Sequence, residues 1–373
     1  MTGRRVLMLA QQLRRSASGG IGTYVLGLLQ GLDALAAGGG PAGPEVTLAA
    51  SRLPGGGVDP LAGLGHPLHI SPLPAPLLTR AWDHGLVRAP SGFDLVHAAS
   101  LATLAPGASP LVVTVHDLLW RRVPEAYPPR GRRWHEAALR RALARADRFI
   151  VPADVVADDL AGAGAPRDRI DVVPMGADHL PAPDAGAAAA HLASLGVTGP
   201  YLLSVGTLEP RKNLQRLVAA YAAVRDRLPE PWPLVMVGPS GWGAQVGAEA
   251  GVVHAGAVSA AELAGLYAGA RLLAYVPLVE GFGLPPVEAM AVGTPVLASP
   301  LPSTDGAALD VDPVDTAAIA EGLLAVATDD ALRADLVARG RARAGELSWA
   351  GIARRHLEVW QAATDHRRGD RDG

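Results

Sequence analysis

The sequence predicts an α/β protein built from two Rossmann-like parallel-sheet domains that face each other across a cleft. With 373 residues, the chain has room for about two domains of roughly 150 residues each. Short apolar runs of strand length alternate with longer segments of helical length, which is typical of parallel strands joined by crossover helices. The alternation stops at an Ala/Pro-rich stretch and then begins again. We therefore expect a first domain over residues 1–180, a linker over 181–196 that runs into a short helix, and a second domain over 197–345.

The first half begins with a predicted strand at 6–10, which leads into a glycine-rich turn at 18–22 and an apolar helix ending near Ala37. Residues 53–80 are rich in Pro, Gly and Leu without clear periodicity, so we expect loops and short segments there. The other expected strands are short apolar runs at 46–50, 95–98, 111–115, 148–151 and 170–173. Two further helices are expected at 132–146 and 153–163.

The second half repeats the pattern and ends in helices. Its expected strands are at 201–205, 234–237, 252–254, 272–276, 295–298 and 308–311. Its expected helices are at 214–228, 260–268, 284–292, 315–327, 330–345 and 349–363. The charged tail, 365–373, is expected to fray. Parallel sheets bind ligands at the carboxyl ends of their strands, so the loops there are the expected functional sites.

Composition and charge exclude several classes of protein. Hydrophobic residues make up 49% and charged residues 18%, which excludes a disordered chain. A net charge of −3 argues against a nucleic-acid partner. The absence of cysteine excludes disulfides, thiolate metal sites and cysteine nucleophiles. No apolar run reaches about 18 residues and the first ten residues lack a signal-peptide layout, so we expect a soluble, cytoplasmic protein.

The most informative stretch is EGFGLPPVEAM, residues 280–290. It follows a predicted strand, and its two prolines suit the first turn of a helix. Gly281 and Gly283 allow close backbone approach, and a helix amino end attracts anions such as a diphosphate. Glu280 and Glu288 would flank that anion and accept hydrogen bonds from sugar hydroxyls. The alternative is a structural turn with two solvated glutamates.

A second signal is the only lysine, Lys212, which lies next to the only asparagine, Asn213. In a chain whose other basic residues are all arginine, a lone lysine suggests a position that needs a compact ammonium group. Chance is the alternative explanation. No cluster of His, Asp and Glu has convincing metal-ligand spacing, so no metal site is predicted.

The 280–290 stretch resembles the signature of the retaining glycosyltransferases of family 4, in which two glutamates are separated by seven residues. Two other stretches are similar to segments of the same family: GTLEPRKNL at 206–214, and the glycine loop GGIGTY at 19–24. Three shorter landmarks match in order along the chain: DLVH at 94–97, TVHDL at 114–118 and VPMGAD at 173–178. The similarity covers about residues 6–345.

The resemblance implies the GT-B fold, with an acceptor-binding first domain and a donor-binding second domain. Within 346–373, a last helix would cross back to the first domain. The implied activity is retaining transfer of a hexose-type sugar from a nucleoside-diphosphate sugar to an acceptor hydroxyl, without a metal or other cofactor. The acceptor is left open among a saccharide, a lipid-linked glycan and a small natural product.

The resemblance also implies roles for individual residues. Glu288 would hold the ribose hydroxyls, and Glu280 would contact the transferred sugar and the distal phosphate. Arg211 and Lys212 would neutralise the leaving diphosphate. His116 would lie near the transferred sugar and bond a hydroxyl or the acceptor. The remaining donor-binding residues would act mainly through their backbone: Gly20, Gly206, Gly281, Phe282, Gly283 and Leu284.

Alternatives to this interpretation stay open. A nucleotide-sugar epimerase or hydrolase of the same fold would act on the donor alone, and a non-catalytic nucleotide-sugar-binding protein would need no His116. Thr207 stands where the family often has arginine, which would leave Arg211 as the only arginine at the diphosphate. Residues 120–150 carry nine arginines against three acidic residues, a local charge of +6. A solvated helix face is the default explanation of this charge, and a peripheral membrane contact is the alternative.

Overall fold

The computed structural model divides the chain into two compact units. The first contains the residues up to Trp120, Tyr127–Gly176 and the residues from Trp349 onward, and the second contains Arg121–Ala126 and Ala177–Ser348. The structure describes residues 3–15, 19–38, 43–53, 58–105, 107–239, 241 and 249–372, without the side chains of 368–372.

The first unit is built on a seven-stranded parallel sheet in the order β3-β2-β1-β4-β5-β6-β7. Its strands are β1 (Arg5–Leu9), β2 (Glu45–Arg52), β3 (Leu68–Pro74), β4 (Leu95–Ala98), β5 (Leu111–Thr114), β6 (Arg148–Val151) and β7 (Ile170–Val172). The helices between them are α1 (Gly19–Ala37), α2 (Ala75–Asp83), α4 (Pro129–Arg145) and α5 (Asp154–Gly162), and α3 (Leu119–Arg122) begins in this unit. The central strands are buried apolar runs, as parallel strands covered on both faces require.

The second unit repeats this architecture with a six-stranded parallel sheet in the order β10-β9-β8-β11-β12-β13. Its strands are β8 (Leu202–Val205), β9 (Leu234–Val237), β10 (Val252–Gly256), β11 (Leu272–Tyr275), β12 (Val296–Ala298) and β13 (Leu309–Asp310). Its helices are α6 (Ala185–Ser194), α7 (Leu214–Val224), α8 (Ala260–Gly269), α9 (Leu284–Ala291), α10 (Thr316–Thr328) and α11 (Asp330–Glu346). The predicted α/β class with two Rossmann-like sheets is confirmed.

Two predictions for the first unit were wrong. Strand β3 and the greater part of helix α2 form within 53–80, where loops and short segments were expected. Strand β3 lies at the sheet edge, is largely exposed and contains two prolines, so it shows neither a continuous apolar run nor a clean alternation. The glycines at 19–22 form the first turn of α1 rather than a turn before it, while residue 18 lies outside the described residues.

The expected linker is part of the second unit. Helix α6 packs on α8, and the N–H of Asp184 donates to the carbonyl of Ala261 at 3.0 Å. Gly265 of α8 lies so close to this junction that a Cβ there would be 2.5 Å from the carbonyl oxygen of Asp184. The short helix expected in this stretch is therefore α6, and the segment docks on its own unit rather than forming a free connection.

The last helix, α12 (Trp349–Asp372), packs in the first unit against α1. It continues to Asp372 through most of the tail that was expected to fray. The ring of Trp349 lies directly over Gly27, and the hydroxyl of Tyr24 donates to Nε2 of His356 at 2.7 Å. Within the described residues, α1 is also the one helix long and apolar enough to cross a membrane by length and composition, which corrects the expectation that no such run exists. Its apolar face packs on α12.

Replacing Gly27 with alanine is expected to destabilise the first unit by about 2 kcal/mol, because the new Cβ overlaps the indole of Trp349. The matched control is Gly162→Ala in helix α5, where no atom lies within 4 Å of the new Cβ. That change should be neutral or slightly stabilising, since alanine favours the helix. Urea unfolding followed by circular dichroism measures both variants. Equal stabilities would contradict the described packing of α1 on α12.

Candidate active site

Two loops of the second unit lie side by side at the carboxyl edge of its sheet. One follows β8 and contains Arg211 and Lys212; the other follows β11 and contains Glu280. Strands β8 and β11 are neighbours in the sheet, so the loops that follow them emerge next to each other. The N–H of Leu278 donates to the carbonyl of Arg211 at 2.9 Å and ties the two loops together.

Charged side chains from these loops form a compact cluster around Glu280. The ammonium of Lys212 bonds the Glu280 carboxylate directly and donates to the Tyr275 hydroxyl at 2.6 Å. The Tyr275 hydroxyl in turn donates to Glu280 at 2.8 Å. The Arg211 guanidinium reaches Glu280 at 2.6 Å and Glu209 at 2.5 Å. Two cations are thus matched by two carboxylates.

Burial and charge set the protonation of this cluster. Burial alone would raise the pKa of Glu280, but Lys212 and Arg211 outweigh burial and hold it at about 2. Burial raises the pKa of Glu209 against the pull of Arg211. Burial and the neighbouring Glu280 also raise the pKa of Tyr275 well above its usual value. At neutral pH, Glu280 is therefore a carboxylate and Tyr275 a neutral phenol.

Two glycines allow the backbone to pack closely around the loop that carries Lys212. Gly206 follows β8 with a positive φ of 149°, and a Cβ there would lie 3.4 Å from Cε of Lys212. Gly238, at the end of the neighbouring β9, has a φ of 145°, and a Cβ on it would overlap the carbonyl of Gly206. A side chain at Gly238 would push the β8 loop away from the sheet, and one at Gly206 would strain the backbone next to the lysine.

The lone asparagine holds this loop in place, a role that the sequence did not predict. Asn213 adopts a left-handed backbone conformation, with φ 59° and ψ 27°, just before helix α7. Its buried amide donates to the carbonyls of Val276 at 3.0 Å and Pro313 at 2.6 Å. Asparagine tolerates this conformation better than most residues and also supplies the donor, so one side chain fixes the position of the adjacent Lys212.

Replacing Asn213 with alanine is expected to destabilise the second unit by about 2 kcal/mol, because it adds backbone strain and removes the amide donor from the carbonyls of Val276 and Pro313, of which the latter keeps Arg216. Asn213→Gly keeps the backbone conformation but loses the amide, so we expect a smaller loss of stability. Urea unfolding compares the two variants. An alanine variant as stable as the natural protein would contradict the positioning role of Asn213.

The glycine-rich turn before α9 has the predicted form. Residues 281–284 are buried, and α9 begins at Leu284 immediately after Gly283. Gly283 has a φ of 95°, and a Cβ on it would lie 3.0 Å from the hydroxyl oxygen of Ser303. The N–H of Ser303 donates to the carbonyl of Phe282 at 3.3 Å and fixes the turn. Helix α9 therefore begins shortly after Glu280 in the chain, and the backbone N–H groups of its first turn are available as hydrogen-bond donors.

The second glutamate of the motif is buried in α9 and already has two protein partners. One oxygen of Glu288 lies 3.0 Å from Nε2 of His179, and the other accepts a hydrogen bond from the Tyr267 hydroxyl at 2.8 Å. Burial and the adjacent Glu288 raise the pKa of Tyr267 well above its usual value, so this hydroxyl remains a donor. Neither His179 nor Tyr267 was singled out from the sequence.

Gly20 and His116 belong to the first unit rather than to this cluster. Gly20 is exposed in the first turn of α1. His116 follows β5, and its Nε2 donates to the carbonyl of Ala99 at 2.9 Å, which leaves Nδ1 as a hydrogen-bond acceptor. Burial lowers the pKa of His116, so the ring is neutral at neutral pH. The side chain suits a hydrogen bond from a hydroxyl group.

Known protein families match most of the chain. The family model Glycosyltransferase Family 4 matches residues 18–179, and the model Glycosyl transferases group 1 matches residues 193–343. O-antigen chain mannosyltransferase B from Escherichia coli is 32% identical over 67% of this chain and 70% of its own length. D-inositol 3-phosphate glycosyltransferase from Nocardia farcinica is 33% identical over 76% of this chain and 70% of its own.

Solved structures share the fold. Anabaena Alr3699/HepE, in complex with UDP and glucose, superposes with a TM-score of 0.70 at 19% identity over 96% of this chain and 100% of its own. Sucrose-phosphate synthase from Thermosynechococcus elongatus has a TM-score of 0.72 at 23% identity over 96% and 98% of the two chains. These likenesses confirm the predicted GT-B architecture.

Proposed function

Since the chain belongs to glycosyltransferase family 4, we propose that this transferase moves a hexose-type sugar from a nucleoside-diphosphate sugar to an acceptor hydroxyl, with retention and without a metal ion. The observation that carries the proposal is the Arg211–Lys212–Glu280 cluster beside the amino end of α9. HepE, of the same fold, is described in complex with UDP and glucose, which supports this class of donor.

The leaving diphosphate docks on the cluster from its cationic side. In the free protein, Glu280 and Glu209 match the two cations, so the four side chains carry no net charge. An incoming diphosphate takes over hydrogen bonds from Lys212 and Arg211, and the α9 amides add further donors. Glu280 then has a lone pair free for a hydroxyl of the transferred sugar. Glu288 accepts hydrogen bonds from the ribose.

The reaction breaks the bond between the anomeric carbon and the phosphate oxygen and forms a bond to the acceptor oxygen on the same face of the sugar. The acceptor proton passes to the leaving phosphate oxygen, so no enzyme nucleophile is needed. Negative charge grows on the diphosphate in the transition state, and preorganised cations stabilise it most at that point. Two fixed cations supply the charge that a divalent metal ion would otherwise provide. His116 accepts a hydrogen bond from a hydroxyl of the transferred sugar or the acceptor.

Two classes of acceptor follow from the relatives' names. One relative is named for O-antigen chain mannosyl transfer, which suggests a saccharide acceptor, and others are named for D-inositol 3-phosphate. Of the arginines at 120–150, Arg141 pairs with Asp83 and Arg148 pairs with Asp171, so part of the local charge is structural. Other arginines of this stretch are exposed and could contact an anionic membrane surface. We therefore also propose a peripheral membrane contact, with a lipid-linked acceptor as the substrate.

The test is transfer in the presence of a chelator. The protein is incubated with a panel of nucleoside-diphosphate hexoses, with and without candidate acceptors, in excess EDTA. We expect acceptor-dependent release of nucleoside diphosphate and a product whose anomeric configuration, read by proton NMR, matches that of the donor. Release independent of any acceptor would favour the hydrolase, and conversion of the donor to its epimer without net release would favour the epimerase. Donor binding without any turnover would favour a binding protein. An inverted product or a strict metal requirement would contradict the proposed mechanism.

A further inference from the structure

A chain of buried polar side chains contacts His116 in the first unit. It joins four elements of this unit: His97 of β4, Thr114 of β5, Tyr24 of α1 and His356 of α12. The Tyr24 oxygen lies 2.8 Å from the Thr114 hydroxyl oxygen and 2.7 Å from Nε2 of His356. Nε2 of His97 lies 2.8 Å from the same Thr114 oxygen. All four residues are at most 2% exposed, so these bonds are shielded from water.

One backbone carbonyl sets the direction of every hydrogen bond in this chain. Nδ1 of His356 lies 2.8 Å from the carbonyl oxygen of Ile352, which can only accept, so Nδ1 carries the proton. Burial lowers the pKa of His356 to about 4, so the ring is neutral at neutral pH and its Nε2 accepts from Tyr24. Burial also raises the pKa of Tyr24, so its hydroxyl keeps the proton that it donates. Because each hydroxyl has one proton, the Tyr24 oxygen accepts from Thr114, and the Thr114 oxygen accepts from Nε2–H of His97.

The other ring nitrogen of His97 agrees with this direction. Its Nδ1 atom is buried and has no hydrogen-bond partner among the described residues. Burial lowers the pKa of His97 well below its usual value, so the ring is neutral and its single proton is the one on Nε2. The unpartnered Nδ1 is therefore an acceptor and not a buried N–H. Every proton of the chain thus has an acceptor inside the protein.

Tyr24 connects this chain to His116. The phenol ring lies edge-on against the His116 imidazole, with centroids 5.0 Å apart and planes at 81°. Two hydrogen bonds at the Tyr24 hydroxyl fix the position of this ring, and one of them comes from Thr114, two residues before His116. His116 also donates from Nε2 to the carbonyl of Ala99. The bond to Ala99 and the Tyr24 ring together restrict rotation of the imidazole.

We propose that Tyr24 is a positioning residue for His116: its hydroxyl, bonded to Thr114 and His356, holds the phenol ring against the imidazole and keeps Nδ1 of His116 available to a substrate hydroxyl. The Tyr24 hydroxyl is fully engaged inside the protein, so it contributes through His116 and not by contact with substrate. Helix α12 contributes in the same way, through His356. This inference rests on the proposed transferase function, because it assigns a supporting residue to the same reaction.

The first experiment measures the state of His116 without any substrate. Long-range proton–nitrogen NMR spectra of the imidazole rings report which nitrogen carries the proton, and His116→Gln identifies the signals. We expect a single environment with the proton on Nε2 in the natural protein. Tyr24→Phe keeps the ring but lacks the hydroxyl, so we expect a mixture of tautomers or of ring environments. An unchanged His116 spectrum in Tyr24→Phe would overturn the proposal, whether or not the protein is a transferase.

The second experiment is a double-mutant cycle on sugar transfer. We expect Tyr24→Phe to lower kcat about tenfold, as loss of one well-placed hydrogen bond does, with the KM for the donor unchanged. In a His116→Ala background the same change should have little further effect, because Tyr24 acts through His116. An equal fold-loss with and without His116 would overturn the proposal. No transfer by the natural protein would reject the proposed function instead, and the NMR comparison would still decide whether Tyr24 positions His116.

The matched control is Tyr201→Phe in the second unit. This change also removes a buried hydroxyl, which donates to the carbonyl of Leu266 at 2.6 Å, and it should leave both kcat and the His116 spectrum unchanged. Should Tyr24→Phe fail to fold, His356→Leu removes the acceptor at the far end of the chain and leaves the Tyr24 ring in place, with the same expectation for both measurements. A His356→Leu variant with the natural spectrum and kcat would overturn the proposal.

Discussion

Replacing Lys212 with alanine is expected to lower kcat by about 10²–10³-fold, because the variant lacks one preorganised cation where negative charge grows on the leaving diphosphate. Affinity for the free nucleoside diphosphate should fall much less, since Arg211 and the α9 amides still bind it. Glu280 keeps its bond to Arg211, so the loop retains an ion pair and is expected to fold. Steady-state kinetics and calorimetric titration on the same preparation measure the two effects.

Two controls separate charge from packing in this experiment. Small alkylammonium ions should restore part of the activity of the alanine variant by entering the space that the side chain leaves next to Gly206 and Tyr275. Lys212→Met fills that space without a charge and should remain slow with or without the amine. An alanine variant with unchanged kcat, or one whose only defect is a raised KM for the donor, would reject the role proposed for Lys212.

Replacing Glu288 with glutamine is expected to weaken binding of the nucleoside diphosphate by about 10–100-fold, as loss of a charge-assisted hydrogen bond to the ribose does. The substitution preserves size, and the amide oxygen can still accept from the Tyr267 hydroxyl. The effect on kcat at saturating donor should be small, because the ribose lies away from the bond that breaks. Calorimetric titration measures the affinity.

Two comparisons make the Glu288 result specific. Inorganic pyrophosphate has no ribose, so its affinity should be the same for the natural protein and Glu288→Gln. Tyr267→Phe removes an internal partner of Glu288 without removing the carboxylate, and should weaken nucleotide binding less. Equal loss of affinity for nucleotide and pyrophosphate would mean that Glu288 supports the fold of this region rather than the ribose.

The sequence predicted the strands well wherever they lie inside a sheet. Strands β4, β6 and β9 have the bounds expected from their apolar runs, because a strand covered on both faces is mainly apolar. Strand β3 was missed because an exposed edge strand needs no such run. The proximity of Lys212 and Glu280 followed from two motifs placed after neighbouring strands of one sheet.

Other features of the site depend on contacts that leave no local pattern. His179 reaches Glu288 across 109 residues of sequence, and no spacing rule connects them. Glu209 lies within the recognised 206–214 segment, yet only the folded loop shows that its carboxylate pairs with Arg211. Asn213 did leave a signal, as the only asparagine in the chain, but its left-handed backbone and buried amide contacts appear only in the structure.

We propose that Arg211 and Lys212 exchange part of their hydrogen bonding to Glu280 for bonds to the leaving diphosphate. A crystal structure with a non-hydrolysable nucleoside-diphosphate sugar tests this exchange most directly. We expect oxygens of the distal phosphate at about 2.7–3.1 Å from the Lys212 ammonium and the Arg211 guanidinium, with the Glu280 carboxylate accepting a hydrogen bond from a sugar hydroxyl. A diphosphate bound elsewhere, with the Lys212–Glu280 and Arg211–Glu280 pairs unchanged, would contradict it.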